Sequence, residues 1–106
     1  MDGDTFIVEV DATSSAVLRL RGELDLAGVP RLLSALSGLD GDVDLDCSGV
    51  DFIDAAGLGA FVSAHQQCAA RGAQLVVVDP SRAVLRLLQM VELDTVLHVR
   101  RNGVAS

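Results

Sequence analysis

The chain has no tryptophan and no tyrosine, and its 106 residues include only three phenylalanines, Phe6, Phe52 and Phe61. That scarcity removes the aromatic platforms on which single-stranded nucleic acids stack. Positive charge is also scarce: eight Lys and Arg stand against fifteen Asp and Glu, for a net charge of −7. A surface of that sign repels phosphate backbones and anionic lipid, so neither nucleic acid nor membrane is an expected partner; a basic groove on another protein suits it better. No apolar run approaches the roughly 20 residues that span a bilayer. The opening Met1-Asp2-Gly3-Asp4 lacks the basic and apolar regions of a secretion signal. A cytoplasmic location is therefore expected, with the two cysteines, Cys47 and Cys68, as reduced thiols.

Half of the residues are apolar, enough to build a well-packed core, and the length suits one domain over residues 1–106. The apolar periodicity orders its elements. Phe6, Val8 and Val10 alternate with polar neighbours, as do Ala16, Leu18 and Leu20, predicting two half-buried strands. The short polar stretch Asp11-Ala12-Thr13-Ser14-Ser15 between them predicts an antiparallel hairpin. The period then changes. Val29, Leu32, Leu33, Leu36 and Leu39 mark one face of a helix, with Pro30 in its first turn and Gly38 at its end.

A third strand carries Val43, Leu45 and Cys47 on one side and Asp42, Asp44 and Asp46 on the other. Leu58, Phe61, Val62, His65 and Ala69 share one face of a second helix that closes near Gly72. Leu75-Val76-Val77-Val78 is apolar on both sides, as a central strand covered by helices would be. Asp79-Pro80-Ser81 opens a third helix through Val84, Leu87, Leu88 and Val91, and a last short strand spans roughly 95–99. The order β-β-α-β-α-β-α-β predicts an α/β domain. Its sheet is mixed and mostly parallel, with about five strands, an N-terminal antiparallel hairpin and three or more helices.

Two motifs stand at the junctions. One is Gly22-Glu23-Leu24-Asp25 at the end of the second strand. The other runs Asp46-Cys47-Ser48, then Phe52-Ile53-Asp54, then Gly57-Leu58-Gly59. Together with the element order, they resemble the STAS domain family, named from sulfate transporters and anti-sigma factor antagonists. The resemblance spans nearly the whole chain, and the length is similar to that of a stand-alone antagonist. It implies a non-catalytic protein that binds a serine-kinase-type anti-sigma factor and so releases a sigma factor. In such proteins the kinase phosphorylates a Ser or Thr directly after the second motif's Asp, which breaks the complex. That position lies at a helix N-terminus, where free N–H groups and the helix dipole accommodate an anion.

This sequence departs from the pattern there. Asp54 is followed by Ala55 and Ala56, neither of which has a hydroxyl, so no phosphorylation is expected at the family position. Two readings follow: an antagonist permanently competent to bind, or a STAS subunit of a scaffold or ABC-type lipid transport complex. The expected partner-binding residues are Asp25, Asp54, Ala55, Ala56, Gly57 and Leu58. Asp54 also reads as the cap of the second helix, and Asp25 as a cap of the first. Gly57 and Gly59 permit either a partner's close approach or tight packing of the helix start on the sheet. Ser48 is the remaining hydroxyl near the motif; its expected role is a turn hydrogen bond after the third strand, with phosphorylation as the alternative.

No cofactor is expected. Gly57-Leu58-Gly59 lacks the third glycine of a dinucleotide fingerprint, and no phosphate-binding loop is present. His65 and His98 have no Cys or carboxylate at zinc-ligand spacing. Ser63, His65 and Asp79 lack the nucleophile elbow that would frame a hydrolytic triad. Cys68 lies about 13 residues along the second helix, roughly 20 Å from its start, whereas Cys47 is near that start. A disulfide is therefore not expected, and both cysteines read as small core residues.

Overall fold

Each strand pairs with the next one in the chain, so the sheet order is simply β1-β2-β3-β4-β5. This is seen in a computed structural model that describes residues 6–11, 16–93 and 96–102. The strands are β1 (Phe6–Asp11), β2 (Ala16–Leu24), β3 (Val43–Ile53), β4 (Leu75–Val78) and β5 (His98–Arg100); the helices are α1 (Val29–Ser37), α2 (Ala55–Ala70) and α3 (Arg82–Met90). The β1–β2 pair is antiparallel, from Phe6 opposite Gly22 to Asp11 opposite Val17. Every later pairing is parallel. The result is the expected five-stranded mixed sheet; the residues of the predicted hairpin turn, 12–15, lie outside the described ones.

Parallel neighbours need crossover helices, and right-handed crossovers that all step the same way put those helices on one side of the sheet. The burial pattern agrees. Leu18, Leu20, Val43, Leu45, Cys47, Leu75 and Val77 are buried on the helix side. The other side carries Glu9, Arg19, Arg21, Asp44 and Asp46, joined in ion pairs such as Glu9–Arg21 (2.9 Å) and Asp44–Arg100 (2.8 Å). Among the described residues no polar or charged residue is buried. Both cysteines are free and buried.

Four expectations need correction. The second helix was expected to bury Leu58, Phe61, Val62, His65 and Ala69. It buries Gly57, Leu58, Ala60, Phe61, Ala64 and Cys68, while Ala69 is exposed and Val62 and His65 are half-buried. The true stripe is made largely of small residues, which bring the helix close to the sheet and which large-residue periodicity overlooks. Second, β3 does not stop near Cys47 but runs eleven residues to Ile53, with register irregularities against β2. Ser48 is thus within a strand, its N–H and hydroxyl both donating to Asp46 Oδ1 (3.0 and 2.7 Å). Third, β4 is not sheathed on both faces, since Val76 is half-buried beside Asp44 on the helix-free side. Fourth, the last strand is His98–Arg100; Thr95, where it was expected to begin, lies outside the described residues.

The length of β3 also places α3. β4 covers β3 only over Val43–Asp46, so the rest of β3 would be a bare edge on that side. The chain turns after Val78 so that the Ser81 N–H donates to the Cys47 carbonyl (3.2 Å). Helix α3 then runs beside the exposed stretch of β3, sending Val84 and Leu88 into the core.

Candidate functional site: the rim at the ends of β2 and β3

Leu24 and Ile53 end β2 and β3 and pair in register, so the segments that follow them leave the sheet side by side. In parallel sheets this C-terminal rim, from which loops and helix N-termini project, is where ligands and partners are met. The Asp54 N–H donates to the Leu24 carbonyl (3.3 Å), which ties the two segments together. The Asp54 side chain caps α2, accepting from the Gly57 N–H at 3.0 Å, as the sequence predicts. Its carbonyl accepts from Leu58 (3.0 Å) and starts the helical ladder.

Gly57 is fixed by packing. A Cβ there would stand 2.6 Å from the Leu24 carbonyl oxygen and 2.8–2.9 Å from the Leu24 and Ile53 side chains. Gly59 faces open space, with no neighbour within 4 Å of such a carbon. Of the two alternatives, Gly57 therefore serves internal packing. Leu58 is buried as well. These two residues set the start of α2 from beneath, while Ala55 is exposed and Asp54 and Ala56 are half-buried on the rim itself.

Asp25 does not cap α1. Its Oδ1 accepts from the Ala27 N–H (3.1 Å) and its carbonyl from the Gly28 N–H (3.0 Å), so it closes a turn one step upstream. The helix N-cap is Gly28, which offers no side-chain bond, and a proline follows in the first turn. The turn presents Leu26, which is 73% exposed. Sequence pattern missed this residue because it follows Leu24 at strand spacing, and only the end of β2 turns it outward. Exposed or half-buried carboxylates also end these two strands: Glu23 and Asp51 within them, Asp25 and Asp54 directly after them. The exposed rim is therefore acidic with an apolar tip.

Other candidates stay apart from the rim. Among the described residues no group of His, Cys, Asp and Glu has the arrangement to hold a metal ion. His65 and His98 rings meet edge-on at 6.2 Å, with the His65 Nδ1 buried and without a partner. Burial, helped by the neighbouring Asp46 carboxylate, pushes the Cys47 thiol far above its ordinary range, so it is no nucleophile.

A family profile described as "Mlab, STAS domain" matches residues 8–99. Solved structures of similar shape include an anti-sigma factor antagonist from Mycobacterium paratuberculosis, 23% identical with a TM-score of 0.75, covering 91% of this chain and 84% of that one. A second is the antagonist SpoIIAA in its unphosphorylated form, 21% identical with a TM-score of 0.72, covering 89% and 86%. A third is an anti-sigma-factor antagonist (STAS) domain protein from Planctomyces limnophilus, 16% identical with a TM-score of 0.76, covering 91% of each. A comparison with curated proteins finds no significant match. The profile spans most of the chain: the chain belongs to the STAS domain family.

Proposed function

We propose that this protein is an anti-sigma factor antagonist whose rim docks onto a serine-kinase-type anti-sigma factor, without being switched by phosphorylation at that rim. Likeness in fold to solved anti-sigma factor antagonists supports the role, and Ala55 supports the absence of the switch. This alanine is the first residue of α2, exposed directly after the Asp54 cap, where the family resemblance puts the phosphorylated Ser or Thr. An alanine there keeps the small, uncharged character of the unphosphorylated state. Phosphate would instead add about −1.5 to −2 charges to an already acidic surface. Asp25, Asp54, Ala55 and Ala56 form the contact, with Leu26 as its apolar tip, while Gly57 and Leu58 position it. The net charge of −7 supports a basic protein surface as the partner.

The missing hydroxyl equally suits a second reading, a non-catalytic STAS subunit of a scaffold or ABC-type lipid transport complex. One experiment separates them. Wild type, Ala55→Ser and Ala55→Asp are used to capture proteins from native extract, with and without ATP, and the captured proteins are identified by mass spectrometry. The antagonist reading expects wild type to hold an anti-sigma kinase whether or not ATP is present. Ala55→Ser should hold it until ATP allows phosphorylation, and Ala55→Asp should not hold it. Capture of transporter or scaffold components alone would establish the second reading instead.

A further inference from the structure

Beside the rim, the flank of α3 that looks toward the end of β3 is also apolar. Val84 and Leu88 fill the interior, but a second stripe, Ala83, Leu87 and Met90, runs along that flank. With Asp51 and Phe52 of β3 and Arg86 of α3 it lines an open groove. Phe52 is 47% exposed and Met90 73%, in a chain with three phenylalanines and two methionines. Exposed large apolar groups gathered in a concave site mark a place where another surface is buried. The groove reaches Ile53, the residue before Asp54, and so continues the rim.

Its charge indicates what lies there. Arg82 and Arg86 are the only charged residues of α3; both are exposed and neither makes an ion pair with a described residue. They stand one helical turn apart on a chain whose net charge is −7. Arg86 lines the groove together with one carboxylate, Asp51, and Arg82 stands one turn before it on the same helix. We propose that this groove binds an acidic amphipathic segment of a partner protein. Its apolar side chains would rest on Phe52, Leu87 and Met90, and its carboxylates would meet Arg82 and Arg86. The inference rests on the antagonist reading only in assigning the segment to the protein that docks at the rim.

Fluorescence anisotropy of the full chain tests it with two labelled helical peptides of about 15 residues. Both carry leucine at i, i+4, i+7 and i+11; one has glutamate and the other lysine at the remaining outward positions. The glutamate peptide should bind. Arg86→Glu and Met90→Ser, both surface changes, should each weaken it by about tenfold or more. Ala55→Asp, at the rim, should leave this binding unchanged while abolishing capture of the kinase, so the two readings fail separately. Equal binding of both peptides, binding of neither, or binding indifferent to Arg86→Glu and Met90→Ser would overturn the proposal. So would concentration-dependent self-association lost in Met90→Ser, or attachment to phosphatidylglycerol vesicles through the same residues.

Discussion

Two glycines two residues apart in α2 show how position outweighs residue type. Alanine is preferred over glycine in a helix by about 1 kcal/mol, and at Gly59, where space is open, that preference should appear unopposed. We expect Gly59→Ala to stabilise the protein by about 0.5–1 kcal/mol in urea unfolding. Gly57→Ala should do the reverse. Its methyl would meet the Leu24 backbone oxygen at 2.6 Å, and the overlap should cost about 1–3 kcal/mol net. Equal effects at the two sites would refute the packing role given to Gly57. Cys47 makes a second residue-level prediction. Its thiol is buried and held protonated, so thiol reagents should label it only at the rate of unfolding. A thiol pKa raised by folding means that the native state holds its proton more tightly than the unfolded chain. Its contribution is complete below the ordinary thiol value, about 8.5, and is lost as pH rises above it. Stability of wild type relative to Cys47→Ala should therefore fall in that range, and a flat difference would contradict the burial.

At the scale of elements, the helices are started by unequal devices. Asp54 caps α2 and Ser81 caps α3, its hydroxyl accepting from the Val84 N–H at 3.3 Å, whereas α1 begins at Gly28 without a side-chain cap. Asp54→Ala should cost about 1 kcal/mol, and Asp54→Asn much less because the amide oxygen still accepts. If Asn proved as costly as Ala in thermal unfolding, the charge and not the cap would be what matters. The Asp54 cap was legible in the sequence because a short polar residue stands one position before the helical run. Asp25, read the same way for α1, closes a turn instead, and for α3 only the opening segment Asp79-Pro80-Ser81 was read. The buried stripe of α2 was not legible. Ala60 and Ala64 give no periodic signal by size, and which face they turn inward depends on the sheet they meet.

The whole molecule is two-faced. Helices cover one side of the sheet, and the other is a lattice of exposed acids and bases. Such pairs are usually worth about 0–1 kcal/mol each. Arg21→Ala, which removes the 2.9 Å pair with Glu9, should change stability by less than about 1 kcal/mol. The charge-dependent part of that change should disappear near 1 M salt, where screening lengths shrink to about 3 Å. A larger, salt-independent loss would show instead that the arginine stem, which packs over Gly49, is the stabilising part.

The sequence by itself determined the element order, the sheet class, the family and the cap at Asp54, because these rest on local periodicity and on residues within a turn of one another. It also placed an alanine where the family resemblance expects a hydroxyl, and no fold can supply the missing oxygen. Tertiary structure decided the rest. Only the pairing of Leu24 with Ile53 shows that Gly57 must be a glycine, since the clash is with an atom 33 positions away. The extent of β3 was likewise hidden, because Ser48 reads as a turn residue after the strand and the stretch beyond it becomes strand only where β2 lies alongside to bond it. That extension in turn brings Phe52 against α3, and no local pattern could have announced the groove between them.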